Sequence, residues 1–355
     1  MCARTIPGAN DGGFRLPASD GYWAVVDGGG SFFGVVIFAD NGALMVSTRV
    51  STTGYSRVDD VVLDVFRSFG ETHGVIPRRV VLALAGPIDK RRRTVTLLKN
   101  RDWAVFDLDE FCRRTGCVGK LFNDVELQAA DAAHTPDEHL EEIKPGSVWP
   151  AGRVAALTWS TGINAAFAQG RSTAAFELGQ ITVGGTSPLE RSYIRYVRGI
   201  TGKPWPTIED LVGGLAGFDR AAAWFLEQGH GPQEETEAAL RGHDKALGEG
   251  IGPVITSHLH DPFCQAVVNL IGGLWGEYTR HILVALQPDA GLHLVGGVAH
   301  GAMSVVASPA HSPFLERITD PHLPYADRVA DFRVVVNRDP KLPFRGGLAL
   351  ARRLV

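Results

Sequence analysis

The sequence predicts an α/β protein with two lobes, each built on its own sheet. Its 355 residues exceed one ordinary domain and fit two. Three strand-like runs, then a helix and further strands, occur once in each half, a weak internal duplication of a βββαβαβα kind. Each half also opens with an apolar strand that enters a turn of small residues. Together these observations predict two sheets that face a cleft.

The first half shows strand and helix patterns in alternation. The helix at Val58–Phe69 is predicted because its apolar residues recur at i, i+3 and i+4. The helix that begins at Asp124 has an acidic residue near its N-terminus, which is a typical start signal. The other elements predicted here are strands at 22–27, 32–39, 43–50, 79–85, 94–98 and 117–122 and a helix at 107–115.

The second half restarts the pattern and ends on a helix. A helix-rich body over about 188–288 includes the long apolar stretch Pro262–Leu286, which we expect to be core. The remaining predicted elements are strands at 154–157, 165–169, 292–295 and 332–336 and a helix at 344–354. The predicted organisation is a flexible tail (1–20), a small lobe (21–123 plus 338–355) and a large lobe (124–337).

Composition excludes several functional classes. A net charge of −4 gives no electrostatic reason to expect nucleic acid or an anionic membrane as partner. The run Lys90–Arg93 is best explained as a solvated hairpin tip. The four cysteines form no CxxC pair, and no apolar stretch has the length of a membrane span, so we expect a cytoplasmic protein without structural zinc.

Two turns of small residues suggest that the chain binds a nucleotide. One is Asp27-Gly28-Gly29-Gly30-Ser31 and the other is Ser160-Thr161-Gly162-Ile163-Asn164. Without bulky side chains, backbone N–H groups in such turns can converge on a phosphate. A single turn of this kind is more often only a hairpin. Two of them, one opening each half, suggest a nucleotide held between two lobes.

The segment Asn123-Asp124 follows a predicted strand, at the sheet edge where α/β proteins bind ligands. An aspartate there can accept a proton from a hydroxyl while the neighbouring amide orients the same group. The alternative is that these residues only cap the N-terminus of the next helix.

Taken in order, eight segments resemble the bacterial glucokinase family of the sugar kinase/actin/Hsp70 superfamily over residues 22–353. They are Asp27–Ser31, Ala85-Gly86-Pro87, Asn100 with Trp103, Asn123-Asp124, Ser160-Thr161-Gly162, Glu177–Gln180, Glu209 before Leu211-Val212-Gly213, and Gly296-Gly297. The resemblance implies a two-lobed actin/hexokinase-like (ribonuclease H-like) fold with the active site in the interlobe cleft. It also implies an ATP-dependent kinase of a sugar's primary hydroxyl and allows a homodimer.

The same resemblance assigns roles to individual residues. Asp124 would be the general base, and Asp27 would approach Mg²⁺ through water. The residues implied to bind the sugar are Asn100, Asn123, Glu177, Gln180 and Glu209. The residues implied to bind ATP are Asp27, Gly28, Gly29, Gly30, Ser31, Ser160, Thr161, Gly162, Gly296 and Gly297.

Three departures from the family pattern point to altered acceptor specificity. Gln180 stands where the family has a histidine near the anomeric hydroxyl, Lys99 stands before Asn100 where the family has threonine, and the second turn is closer to the hexokinase form. The acceptor is therefore expected to be glucose or, slightly favoured, a C7-cyclitol of the valienone or valiolone type from antibiotic biosynthesis. A non-catalytic sugar-binding regulator of the same fold is the alternative, although its DNA-binding domain and cysteine cluster have no counterpart here.

Overall fold

The computed structural model describes residues 17–29, 32–96, 102–160, 162–243 and 250–352. The chain divides into two compact units. Unit 1 runs to Leu127 and resumes at Pro343, whereas unit 2 is Gln128–Leu342. The sequence placed the two divisions after Asn123 and Asn337. The predicted α/β fold is confirmed in both units.

Unit 1 is built on a five-stranded sheet of order β3-β2-β1-β4-β8. Strand β1 pairs antiparallel with β2 but parallel with β4, which in turn runs parallel to β8. Helix α1 buries Val62 and Phe66 in the core of this unit and ends at Gly74, whose φ of +72° suits glycine. The elements are β1 (Ala18–Gly28), β2 (Phe32–Ala39), β3 (Leu44–Ser51), α1 (Val58–His73), β4 (Ile76–Leu84), β5 (Ile88–Asp89), β6 (Thr94–Val95), β7 (Phe106–Asp107), α2 (Leu108–Thr115), β8 (Val118–Asn123) and α3, which begins here (Asp124–Asp131).

Unit 2 contains a six-stranded sheet of order β12-β11-β10-β13-β14-β9. Strands β10, β13 and β14 are parallel, and each is fully buried. The strands are β9 (Leu140–Lys144), β10 (Val154–Trp159), β11 (Ile163–Gln169), β12 (Ser172–Phe176), β13 (Leu292–Val295) and β14 (Val334–Asn337). Buried parallel strands explain why β10 and β13 read as continuous apolar runs in the sequence.

Helices cover the sheet of unit 2. They are α4 (Pro188–Thr201), α5 (Ile208–Val212), α6 (Gly214–Glu227), α7 (Glu234–Gly242), α8 (Gly252–Ser257), α9 (Pro262–Leu286), α10 (Gly297–Val306), α11 (Phe314–Thr319), α12 (Ala326–Asp331) and, leading back into unit 1, α13 (Leu342–Ala351). Helix α9 is the central helix of this core, as its apolar sequence predicts. In the described parts of the chain, no helix has the combination of length and hydropathy needed to cross a membrane.

Candidate functional site

The site in unit 1 lies at the carboxyl ends of the parallel strands β1, β4 and β8. Gly28 of β1 pairs with Leu84 of β4, and Leu84 pairs with Asn123 of β8. Asp27 and Asp124, each one residue from this row, therefore emerge at the same edge of the sheet. This is the edge at which open α/β sheets bind their ligands.

The carboxyl groups of Asp27 and Asp124 interact electrostatically. Burial raises the pKa of Asp27 to about 7, and the negative charge of Asp124 adds to the shift. Two carboxylates in one place resist simultaneous ionisation unless a cation joins them. The edge thus has a negative potential that attracts a metal ion. It also holds a group, Asp27, that can accept a proton near neutral pH.

The first predicted phosphate turn is only partly described. A Cβ on Gly28 would meet the side chains of Leu84 and Phe33, so a larger residue here would displace them. The Gly29 N–H donates to the carbonyl of Phe32 at 3.1 Å and closes the turn. Gly30 and Ser31 lie outside the described residues. A phosphate-binding role for this turn stays a prediction.

Asn123 caps helix α3 in the structure. Its Oδ1 accepts the Val125 N–H at 3.1 Å, and its Nδ2 donates to the Gly86 carbonyl at 3.4 Å. The Asp124 Oδ1 accepts the same Val125 N–H at 3.0 Å. The Asn123 amide still has one N–H and lone-pair capacity for a ligand hydroxyl, so capping and sugar binding are compatible. Its sugar-binding role stays a prediction, and Asn100 lies outside the described residues.

In unit 2, the turn between β10 and β11 adjoins Glu209. The Ser160 N–H donates to the Gly162 carbonyl at 3.0 Å, whereas Thr161 lies outside the described residues. Directly after the turn, the Ile163 N–H donates to Glu209 Oε2 at 3.1 Å. A Cβ on Gly162 would lie 3.4 Å from that oxygen. The turn and the glutamate therefore form one local structure.

Glu177 and Glu209 form an acidic pair in unit 2. Partial desolvation raises the pKa of Glu177, the charge of Glu209 raises it further, and a hydrogen bond from Asn164 opposes both. A Cβ on Gly179 would lie 2.0 Å from the Ile163 carbonyl oxygen, which explains the glycine between the pair and the turn. Gln180 is exposed one residue later. The predicted sugar-binding residues of this unit are thus brought together around one turn.

The Gly296-Gly297 pair links β13 to α10 next to the end of β10. Gly296 has a φ of +101°, and a Cβ there would lie 2.7 Å from the Trp159 carbonyl oxygen. At Gly297 a Cβ would meet nothing within 4 Å. Gly296 therefore lets the chain turn closely around the end of β10. Gly297 leaves open space at the N-terminus of α10, where backbone N–H groups favour anions.

Sequence reasoning missed two buried groups that support these residues. Trp159 donates its indole N–H to the Val212 carbonyl at 2.9 Å and stacks on Trp275, with ring centroids 4.5 Å apart. Tyr278 is fully buried, and burial together with the charge of Glu209 raises the pKa of its hydroxyl. The sequence around each residue does not indicate these interactions, because Val212 and Glu209 are distant from them in sequence.

Among the described residues, no cluster of three or more His, Cys, Asp or Glu side chains could enclose a metal ion. A half-buried carboxylate such as Asp27 nevertheless suits Mg²⁺, which is commonly bound by one or two carboxylates, waters and substrate phosphates. The residues present therefore fit a magnesium ion held largely by a nucleotide.

Solved structures of sugar kinases share this fold. A glucokinase from an Antarctic psychrotroph is 20% identical with a TM-score of 0.71, covering 94% of this chain and 100% of its own. A ROK family glucokinase from Streptomyces griseus, solved with glucose and AMPPNP, is 18% identical with a TM-score of 0.59, covering 94% and 100%. A ROK family transcriptional regulator, a homologue of E. coli MLC protein, is 17% identical with a TM-score of 0.64, covering 93% and 78%.

The sequence itself identifies the family. No curated protein matches the chain significantly. The family model described as Glucokinase, however, matches residues 25–352, which covers most of both units and every described residue of the two acidic sites. The chain therefore belongs to the glucokinase family, whose members are phosphotransferases that act on sugars.

Proposed function

We propose that this protein transfers the γ-phosphoryl group of ATP to the exocyclic primary hydroxyl of a glucose-like ring. The observation that carries the proposal is the register of β1, β4 and β8, which brings Asp27 and Asp124 to one sheet edge; burial there, and then the charge of Asp124, raise the pKa of Asp27. This arrangement supplies a carboxylate base beside a second carboxylate suited to a cation. Phosphoryl transfer to an alcohol needs both.

In the proposed reaction, Asp124 accepts the proton of the sugar hydroxyl as that oxygen forms its bond to the γ-phosphorus. The bond between this phosphorus and the bridging oxygen breaks, and ADP leaves. The Val125 N–H at 3.0 Å from Asp124 Oδ1 orients the base. When bound, Mg²⁺ would neutralise charge on the phosphates, and Asp27 is the residue that would hold it, directly or through water.

The unit 2 residues supply binding. Glu177 and Glu209 accept hydrogen bonds from ring hydroxyls, which rejects analogues that lack them. In this proposal the nucleotide binds at the turn Ser160-Thr161-Gly162 and at Gly296-Gly297, where a Cβ on Gly297 would meet open space, with Asp27–Ser31 as the other phosphate turn. The ROK glucokinase from Streptomyces griseus binds glucose and AMPPNP, which supports this choice of substrates.

Gln180 is the residue that bears on the acceptor. An exposed amide cannot titrate and has a different reach from the histidine of the family pattern. A carbocyclic ring lacks the ordinary anomeric centre near which that histidine binds. We therefore favour a C7-cyclitol of the valienone or valiolone type slightly over glucose, with a 7-phosphate or 6-phosphate product respectively.

A coupled ADP-release assay with Mg-ATP tests the proposal, with glucose and the two cyclitols as acceptors. Asp124→Asn should reduce kcat by about 10²- to 10⁴-fold, the range for loss of a general base. The exposed Asp327→Asn on α12, outside every assigned segment, is the control and should retain activity. Turnover with cyclitols alone assigns the chain to cyclitol metabolism, and turnover with glucose alone makes it a glucokinase in activity. If no acceptor exceeds the Asp124→Asn background, the kinase proposal is wrong and a sugar-binding regulator replaces it.

A further inference from the structure

We propose that Glu126, with Lys90 beside it, is a positioning residue that fixes the base Asp124 for phosphoryl transfer. Neither residue belongs to the motifs that indicate the kinase reaction. The inference rests on the proposed function and adds the element that holds its base in place.

Glu126 is a buried carboxylate that folds back onto the end of β8. It is only 2% exposed, and its Oε2 accepts the Asn123 N–H at 3.0 Å. In return, the Asn123 Oδ1 accepts the Val125 N–H from the first turn of α3. These reciprocal bonds form a cap that joins the strand end to the helix start.

Asp124 lies inside this reciprocal cap. It is the first residue of α3, and the Val125 N–H that Asn123 engages is also the donor to Asp124 Oδ1. Any movement of Asn123 or Val125 therefore moves the carboxylate of the base. A displacement of about 1 Å at a reacting group can reduce the rate by about 100-fold.

Lys90 forms a long ion pair with this buried carboxylate. Its Nζ lies 3.9 Å from Glu126 Oε1, on the hairpin between β5 and β6. The hairpin is also connected to the cap through Gly86, whose carbonyl accepts the Asn123 amide. Because the Lys90 side chain is 69% exposed, the pair itself is weak, and we expect it to bias the geometry and not to create it.

The same kind of cap occurs where no base is present. Helix α4 begins with Ser187 and Glu190, and helix α5 begins with Thr207 and Asp210, each as a capping box. A cap of this type is thus compatible with a purely structural role. The experiment must therefore separate positioning of the base from stability of the helix.

The test compares Glu126→Ala, Glu126→Gln, Lys90→Met and, as a matched control on the same hairpin, the exposed Arg91→Met. We expect Glu126→Ala to lower kcat by about 10- to 100-fold with unchanged KM for sugar and ATP. Glu126→Gln retains an acceptor for the Asn123 N–H and should restore most of kcat. Lys90→Met should lower kcat by up to about fivefold, whereas Arg91→Met should not change it.

A second readout is amide hydrogen exchange over residues 123–126, which needs no turnover. Faster exchange in Glu126→Ala, but not in Glu126→Gln, supports the cap whether or not the variants turn over substrate. A lower melting temperature of Glu126→Ala with wild-type kcat overturns the proposal, because the cap would then serve stability alone. If Glu126→Ala does not fold, equal kcat for Lys90→Met and Arg91→Met overturns it. Absence of turnover in the wild type would instead contradict the kinase proposal, and exchange would still test the cap.

Discussion

The raised pKa of Asp27 predicts that Asp27→Asn stabilises the ligand-free protein while abolishing its activity. The shift from 3.8 to about 7 is about 3 pK units, which corresponds to about 4 kcal/mol. Because Asp27 keeps part of its surface in water, we discount this to about 2–4 kcal/mol. An uncharged amide of similar shape removes the cost of holding a charge beside Asp124.

The sign of the pH dependence follows from proton binding. Between about pH 4 and 7 the folded protein holds a proton on Asp27 that the unfolded chain has released. The free energy of unfolding therefore falls as pH rises through this window, and the full cost is present above about pH 7. The advantage of Asp27→Asn should be about a third of its full size at pH 5 and largest at pH 8.

Thermal unfolding of wild type and Asp27→Asn at the two pH values measures this difference. With about 2–4 °C of Tm per kcal/mol, we expect Asp27→Asn to melt about 4–16 °C above wild type at pH 8. The exposed Asp102→Asn is the control for a general effect of losing one negative charge. An equal Tm difference at pH 5 and pH 8 would refute the reasoning, because no proton would then be linked to folding at Asp27.

Two further predictions concern unit 2. Gly296→Ala should lower the free energy of unfolding by about 1–3 kcal/mol, because the φ of this residue is +101° and the new Cβ would meet the Trp159 carbonyl. Gly297→Ala is the control and should have the Tm of the wild type, because a Cβ there would meet open space. Equal Tm values for the two variants would contradict this prediction. Glu209→Gln should raise the sugar KM and move the acidic limb of kcat/KM to lower pH, because it removes a charge that raises the pKa of Glu177; an unmoved limb would show that Glu177 does not limit binding.

Much of the fold could be predicted because its signals are local. Helix α9 has the bounds of the apolar stretch Pro262–Leu286, and α2 begins after Asp107, whose side chain accepts two backbone N–H groups. Strand β9 could not be predicted from its sequence, Leu-Glu-Glu-Ile-Lys. It forms because β14 pairs with it from almost 200 residues away, and ion pairs such as Arg333–Glu142 accompany the pairing.

The hairpin tip shows the same limit on a smaller scale. Lys90–Arg93 was predicted to be solvated, and Arg91 and Arg92 are exposed. Arg93, by contrast, donates to the Gly119 carbonyl at 2.8 Å and pairs with Asp109 at 2.9 Å. Its partners come from β8 and α2, so no reading of the basic run alone could separate it from its neighbours.

The two candidate sites also combine features with a local sequence signal and features that depend on distant partners. Asp27, Asp124, Glu177 and Glu209 stand in motifs, because each must follow a particular strand or open a particular helix. The raised pKa values of Asp27 and Glu177 come instead from burial and, beyond it, from distant partners, with Asp124 acting on Asp27 across β4 and Glu209 acting on Glu177. Residue types in order indicate the reaction, but the register of parallel strands places the charge of Asp124 where it adds to the raised pKa of Asp27. We therefore expect substitutions that alter the packing or register of β1, β4 and β8 to change the pH dependence of activity even where every motif residue is preserved.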